Sequence, residues 1–341
     1  MPRVSSTTPD PLDGDEIRDQ EGDIPAADEE VQGQLLLDPD EDFGFYTLDD
    51  TSEELNLLYY GREGTGKTTA AAFMANLPDA NRVLIINVEA GAKRAALRKR
   101  GVDTSKIVMW PPRGQRIGFK NLERLHQRLL ADLLEDPTSW TGVIWDSVTE
   151  IATALREDAQ GKRIDKMHTK GVSVDEDESD VSDYTILGDQ MRKLLRRFRD
   201  LPCHFVATAL EREDTKTGYV GPDVTPAVAR AILGYVDIAL YCRADVEAAG
   251  ETEDDYGAEF RALTRANSKY RAKDRYDVTP KVLADPNFLR VALYVDGDLD
   301  EDSDPLQVEY NRRREQRAEA EAAKAQERAE AKAAAKAKKA A

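Results

Sequence analysis

A glycine-rich turn between an apolar segment and a helix-forming segment is the feature that most constrains this chain. Residues 57–60 are apolar, residues 61–68 match G-x-x-x-x-G-K-S/T, and an alanine-rich stretch follows. Glycines let the backbone wrap an anion with its N–H groups, and the helix that follows adds a favourable dipole. The sequence therefore predicts a loop that binds the phosphates of a nucleoside triphosphate through these residues: Gly61, Arg62, Glu63, Gly64, Thr65, Gly66, Lys67, Thr68 and Thr69.

Two side chains of this loop have separate expected roles. Lys67 would reach the β- and γ-phosphates, and the Thr68 hydroxyl would bind Mg²⁺. The same ion needs a carboxylate at the end of a neighbouring buried strand, and the apolar residues 143–145 are followed by Asp146. The expected cofactors are therefore ATP and Mg²⁺, with Thr68 and Asp146 as the residues that hold the metal.

Strand-like and helix-like segments alternate from Asn56 onward, which implies crossover connections and a mostly parallel sheet. The predicted strands lie at 57–60, 83–88, 107–110, 143–145, 204–209 and 237–242, and the predicted helices at 67–76, 92–100, 122–133 and 184–198. Two further strands are predicted at 260–264 and 289–294. The expected fold class is α/β, with a mostly parallel doubly wound sheet and a strand-rich C-terminal edge.

The charge is concentrated at the N-terminus. Of the formal charge of −18, residues 1–54 contribute −16, because they hold 18 acidic residues against Arg3 and Arg18. Such a segment cannot bury enough apolar surface to offset its ordering entropy. We therefore expect an acidic disordered arm at 1–50, which could dock a protein partner. An ATPase domain at 51–300 and a charged Ala/Lys/Glu-rich tail at 301–341 follow, and the tail has helical propensity without an apolar stripe.

Several classes of protein are disfavoured by what the chain lacks. Cys203 and Cys242 each lie in an apolar run and are expected to be buried, reduced thiols. His126, His168 and His204 show no metal-ligand spacing. No signal peptide or membrane-length apolar stretch is present, so no membrane partner and a cytoplasmic location are expected.

Two glutamates are candidates for the base that activates the attacking water. Ser147 follows Asp146, so the pattern in which a glutamate directly follows this aspartate is absent. Glu89 follows the second predicted strand and could polarise a water for attack on the γ-phosphate. Alternatively, Glu89 is the N-cap of the next helix or a solvated acid before it. Glu150, one helical turn past Asp146, is the second candidate.

Together these stretches resemble the RecA/KaiC-type ATPase core, and most closely the compact RecA-like ATPases of bacteriophages that act in single-strand annealing and recombination. The resemblance spans roughly residues 55–295 and leaves both tails out. It rests on residues 60–69, 84–91, 143–150, 205–210, 234–241 and 272–275. It implies an ATPase that assembles on single-stranded DNA as a ring or filament. If a phage encodes the chain, the expected location is the host cytoplasm.

The resemblance also assigns a role to Lys273 and Arg275. In KaiC-type and related assemblies, a Lys-x-Arg element reaches across the subunit interface to the γ-phosphate, where a cation stabilises the charge of the transition state. This role implies a homo-oligomer. The alternative is an ordinary charged surface turn.

Two polar segments fall where RecA-like recombinases place their DNA-facing loops. Residues 160–183 carry Lys162, Arg163, Lys166, His168 and Lys170 before the acidic run 175–178, and residues 211–225 carry Arg212, Lys216 and Tyr219. Basic and aromatic side chains suit backbone contact and base stacking, although the neighbouring carboxylates favour solvated loops instead. Thr208 and Glu211 lie where such folds sense the γ-phosphate.

The expected function is thus Mg²⁺-dependent ATP hydrolysis, in which the catalytic residues are Lys67, Glu89, Asp146, Lys273 and Arg275. The reaction would serve recombination, annealing or repair of single-stranded DNA. Two alternatives stay open. One is a helicase-type motor, and the other is an adaptor that switches state with bound nucleotide and recruits partners through its acidic arm.

Overall fold

A computed structural model describes residues 54–112, 114–172, 180–246 and 258–340 of the chain. The acidic arm expected at 1–50 and the acidic run 175–178 lie outside the described residues.

The strands follow the apolar segments of the sequence. Their bounds are β1 Asn56–Gly61, β2 Arg82–Asn87, β3 Ile107–Trp110, β4 Trp140–Asp146, β5 His204–Ala209, β6 Glu211–Glu213, β7 Val220–Pro222, β8 Ile238–Val246, β9 Ala258–Leu263, β10 Lys273–Asp274 and β11 Val282–Ala284.

The helices alternate with the strands up to β8. Their bounds are α1 Lys67–Ala72, α2 Arg94–Lys99, α3 Phe119–Glu135, α4 Val148–Thr169, α5 Val181–Arg199, α6 Pro226–Tyr235, α7 Phe288–Val295 and α8 Pro305–Ala340. A short 3-10 helix, Phe73–Asn76, continues α1.

Across the described residues, nine strands form one sheet in the order β11-β9-β8-β1-β5-β4-β2-β3, with β10 on β8. The six strands from β8 to β3 are parallel. β9 and β10 are antiparallel to β8, and β11 is antiparallel to β9. The mostly parallel α/β sheet expected from the sequence is confirmed, and its C-terminal edge is antiparallel.

Helices cover both faces of the sheet. Leu58 and Tyr60 face the cluster that contains α3, α4, α5 and α6, whereas Leu57 and Tyr59 face the cluster that contains α1 and α7. A central strand buried on both faces is apolar at every position, which explains the continuous apolar run of β1. Because the strands are parallel, the carboxyl ends of β1, β2, β4 and β5 meet at one edge, where such folds bind ligands.

The strand predicted at 289–294 is wrong, because this segment lies within helix α7. Asn287 caps the helix and its side chain accepts a hydrogen bond from the backbone N–H of Arg290 at 3.0 Å. Phe288, Val291 and Ala292 recur at helical spacing and are buried against the α1 face. A short apolar run cannot distinguish a buried strand from a buried helix by periodicity alone.

The polar segment predicted as a loop from residue 160 is largely helical. α4 continues to Thr169, so Lys162, Arg163, Lys166 and His168 lie on a helix. Arg163 pairs with the buried Asp183 of α5 at 3.1 Å. Strong helix formers and this tertiary ion pair outweigh Gly161 in the helix interior.

The C-terminal tail forms α8, in line with its composition, and its first turns lie against the domain. Gln307 and Tyr310 are 1% and 5% exposed, whereas residues 312–330 are all exposed. None of the helices in the described ranges has the length and apolar character needed to cross a bilayer.

Candidate nucleotide site

The glycine-rich loop connects the carboxyl end of β1 to the start of α1. Gly66 has a φ of 79° and lies at the N-terminus of α1. Gly61 has a φ of 155°, and a Cβ there would lie 2.4 Å from the carbonyl oxygen of Cys242 on β8. Both positions therefore need glycine, one for its backbone conformation and the other for the close approach of two strands.

Lys67 lies inside the loop and is buried. Its Nζ donates to the carbonyl oxygens of Gly61 at 3.0 Å and Arg62 at 2.6 Å. Burial lowers the pKa of Lys67, and nearby acidic groups, Glu89 and Asp146 among them, oppose that shift. The loop thus holds a cation at the N-terminus of a helix, as phosphate binding requires.

Asp146 ends β4, beside the loop, and is 1% exposed. Its Oδ1 accepts hydrogen bonds from the hydroxyls of Thr68 at 2.9 Å and Thr208 at 2.8 Å. Its Oδ2 is buried and has no hydrogen-bond partner among the described residues. Burial raises the pKa of Asp146, and the two threonine hydrogen bonds oppose the rise.

The donor set fits Mg²⁺. A Cβ on Gly91 would be 3.7 Å from Asp146 Oδ2 and 3.8 Å from the Thr68 hydroxyl, so this glycine lies over both oxygens. In the described part of the chain no cluster of three or more His, Cys, Asp or Glu could hold a metal ion. One carboxylate and one hydroxyl suit Mg²⁺, which commonly keeps several waters and uses phosphate oxygens as further ligands.

Glu89 lies two residues past the end of β2 and is exposed. The backbone N–H groups of Val88 and Glu89 donate to the carbonyl oxygen of Asp146 at 2.9 and 3.3 Å, which brings this turn over the end of β4. Glu89 lines the same cavity as Lys67 and Thr68. Glu150, in contrast, is in the first turn of α4, which Ser147 caps.

A cavity of about 950 Å³ lies beside Lys67, Thr68 and Glu89. Residues 63–69 of the loop line it, together with Glu89, part of α2, the start of β9, residues 284–287 and the first turns of α8. Arg62 instead forms an ion pair with Glu211 at 3.0 Å. The volume lies at the upper end of the range for ligand sites and is large enough for a nucleoside triphosphate.

Lys273 and Arg275 lie near the amino ends of the parallel strands, whereas the phosphate loop follows their carboxyl ends. Lys273 on β10 pairs with Ala239 near the start of β8, and its Nζ donates to the carbonyl oxygens of Leu233 at 2.9 Å and Val236 at 2.5 Å. Arg275 pairs with Asp237 at 2.6 Å. These contacts place both residues away from the phosphate loop of their own chain.

The segment 211–225 contains a short hairpin, because β6 and β7 pair with Glu211 opposite Pro222. Asp214 closes the turn, since its carboxylate accepts from the backbone N–H of Lys216 at 2.8 Å. The segment thus contains a β-hairpin, whereas its polar sequence suggested a loop.

Beside this hairpin lies a surface of which the sequence had indicated only Tyr219. It consists of Tyr219, Arg243, Lys269, Tyr270 and Arg271, and we call it the Tyr-Arg surface. The Arg271 guanidinium is 5.3 Å from the ring of Tyr219, and that of Arg243 is 4.6 Å from the ring of Tyr270. The available signal was Tyr270 between Lys269 and Arg271, just before Lys273 and Arg275.

The Tyr-Arg surface is connected to the phosphate loop by two contacts. The hydroxyl of Tyr60, next to Gly61, donates to the carbonyl oxygen of Arg271 at 2.5 Å. Glu211, at the start of the hairpin, pairs with Arg62.

A family model described as an AAA domain matches residues 53–276, about two thirds of the chain. The matched region runs from β1 to β10 and contains the phosphate loop, Glu89, Asp146 and the Tyr-Arg surface. No curated protein matches the chain.

Proposed function

The chain belongs to the AAA domain family, and on that basis we propose that it is a Mg²⁺-dependent, RecA-like ATPase of the compact bacteriophage type that acts on single-stranded DNA in recombination, annealing or repair. The observation that carries the proposal is the convergence of Lys67, Thr68 and Glu89 on one cavity at the carboxyl edge of a parallel sheet, with Asp146 hydrogen-bonded to the Thr68 hydroxyl.

Each group has a role in phosphoryl transfer. The loop N–H groups and Lys67 hold the phosphates, and Mg²⁺ neutralises charge on the phosphate oxygens when it is bound. Thr68 and Asp146 are the residues that would hold the ion. Glu89, exposed in the same cavity, accepts the proton of the attacking water.

The Tyr-Arg surface supports a single-stranded nucleic acid as the partner. Guanidinium groups contact the phosphate backbone, and tyrosine rings stack on bases without sequence preference. Tyr219 is 38% exposed, so its ring is available to a base. The Tyr60–Arg271 contact joins this surface to the phosphate loop, and the Arg62–Glu211 contact joins the adjacent hairpin to it, which supports an ATPase whose turnover would respond to DNA.

The position of Lys273 and Arg275 supports a homo-oligomer. The two residues are bonded near the start of β8, whereas the phosphate loop follows the carboxyl end of β1. About four residues of extended strand separate these levels, or roughly 13 Å. Arg275, whose side chain is 56% exposed, can therefore serve a phosphate site only in a second subunit.

The test is ATP hydrolysis with and without single-stranded DNA, at low and at moderate salt. We expect single-stranded DNA to stimulate ATP hydrolysis, and the stimulation to decrease as the salt concentration rises. Contacts to DNA phosphates release counterions, so salt weakens this binding. Arg271→Ala should lower the stimulation. Arg128→Ala, an exposed α3 arginine paired with Asp132 at 2.8 Å, is the matched control and should leave it unchanged.

Slow ATP hydrolysis that single-stranded DNA does not stimulate would contradict the proposal. It would favour the nucleotide-switched adaptor, and deletion of residues 1–50 would then be the next experiment. Unwinding of duplex DNA coupled to turnover would favour the helicase-type motor instead.

A further inference from the structure

The cavity extends well beyond the groups that handle phosphate. Its far wall is made by Phe260 of β9, by residues 284–287, and by Leu306, Tyr310 and Arg313 of α8. Residues 284–287 and α8 lie outside the region that the AAA domain model matches. The part of the wall made by residues 284–287 and α8 is therefore not described by the family match.

Two aromatic rings lie in this wall. Phe260 lies against the phosphate loop, since a Cβ on Gly66 would be 3.0 Å from its ring, and the Arg100 guanidinium is 4.9 Å from the same ring. Tyr310 is 5% exposed, and its hydroxyl accepts from Arg261 at 3.2 Å. Flat aromatic surfaces next to a phosphate loop suit the base of a nucleotide, which stacks on such rings.

Hydrogen-bond acceptors accompany the rings. One carboxylate oxygen of Glu259, Oε2, is buried and has no hydrogen-bond partner in the described ranges. The carboxylate of Asp285 accepts from the side-chain amide of Asn287 at 2.9 Å. Ribose hydroxyls and an exocyclic amino group are donors, so the wall offers what a nucleoside needs and a bare phosphate chain does not.

The start of α8 is fixed to the domain. The side chain of Gln307 accepts from the backbone N–H of Ala284 at 3.1 Å and donates to the carbonyl oxygen of Val282 at 3.0 Å. Asp304 accepts from Tyr294 at 2.8 Å and also pairs with Arg290. The turns that line the cavity thus lie between this anchor and the fully exposed remainder of the helix.

We infer that the first turns of α8, through Tyr310 and Arg313, form the nucleoside wall of the triphosphate site. The base and ribose of a bound nucleotide then hold the C-terminal helix against the domain. This inference rests on the proposed function, because it requires that the cavity bind a nucleoside triphosphate.

The test compares ATP with inorganic tripolyphosphate, which carries the phosphates without a nucleoside. Tyr310→Ala should weaken ATP binding by about tenfold or more, as expected for loss of a stacking ring, and leave tripolyphosphate binding unchanged. Tyr310→Phe keeps the ring and should retain most of the affinity. Arg328→Ala, exposed far along α8, is the control and should change neither affinity.

A second variant and a second readout guard against a variant that merely misfolds. Arg313 has a side chain that is 53% exposed, so Arg313→Ala should leave the fold intact and still weaken ATP binding. Trypsin should cut more slowly after Arg312, Arg313, Arg314 and Arg317 in the presence of ATP than in the presence of tripolyphosphate.

The outcomes separate the inference from the proposed function. If the unmodified protein binds neither ligand, the proposed function itself is wrong. If it binds both ligands and neither variant changes ATP affinity, the inference is wrong and the proposed function stands. Equal losses for ATP and tripolyphosphate, or equal protection from trypsin by the two ligands, would also overturn the inference.

Discussion

Replacing Thr208 by valine should destabilise the protein through Asp146. Thr208 is 1% exposed, and its hydroxyl donates to Asp146 Oδ1 at 2.8 Å. Valine has nearly the same shape but no donor, and the other carboxylate oxygen of Asp146 already has no partner among the described residues. A hydrogen bond to a charged group contributes about 1.5–3 kcal/mol, so the free energy of unfolding should fall by that amount at pH 8.

The cost should depend on pH in a definite direction. Burial raises the pKa of Asp146 in the folded state above its unfolded value. Its contribution to stability is therefore complete below the unfolded pKa and is lost as the pH rises through the folded pKa. The Thr208 hydrogen bond opposes this loss only while the carboxylate is charged, so the cost of the valine variant should shrink on acidification, towards about 0.5–1.5 kcal/mol for a neutral hydrogen bond.

Urea unfolding over a series of pH values from 8 down to about 4, the ordinary pKa of an aspartate, measures both quantities. Thr264→Val is the matched control, since Thr264 is fully buried and its hydroxyl donates to the carbonyl oxygen of Pro280 at 2.6 Å and accepts from Arg265. Neither partner is a carboxylate, so the control should cost the same at every pH of the series. A cost for Thr208→Val that does not change with pH would refute the assignment of Asp146 as a buried, charged acceptor.

Further predictions concern the site itself. Lys67→Ala should abolish ATP binding or turnover, as measured by nucleotide titration and phosphate release, and normal turnover would refute the role of this loop. Glu89→Gln should keep ATP binding and lose turnover, whereas Glu150→Gln should keep both; full activity of Glu89→Gln would discard the base assignment. Because burial raises the pKa of Asp146, the Mg²⁺-dependent part of ATP affinity should weaken on acidification at a higher pH than for an exposed aspartate, and Asp146→Asn should not show this dependence.

Local sequence patterns predicted the phosphate loop, the buried parallel strands and the position of Asp146. The loop at 61–68 was predictable because glycine spacing and the flanking strand and helix act within about a dozen residues. The buried parallel strands were predictable because burial on both faces makes them apolar at every position. Asp146 could be placed beside the loop because parallel strands bring their carboxyl ends to one edge.

Predictions failed where tertiary packing decides between local alternatives. The apolar run in α7 suits a strand or a helix, and the Asn287 cap with a buried helical face decides for the helix. The polar segment after residue 160 suits a loop or a helix, and the Arg163–Asp183 ion pair with α5 stabilises the helix. Neither contact can be read from a single segment.

The sequence by itself determined that this chain has a phosphate loop on a mostly parallel α/β sheet. It also determined which carboxylate follows the strand beside that loop, because both depend on patterns within one strand–loop–helix unit. Only the tertiary structure decided what surrounds the site. The Tyr-Arg surface and the wall formed by Phe260 and Tyr310 join segments that are far apart in the chain. Pairing of β9 and β11 and the Gln307 anchor bring that wall to the loop, and such long-range contacts leave no periodic signal in the sequence.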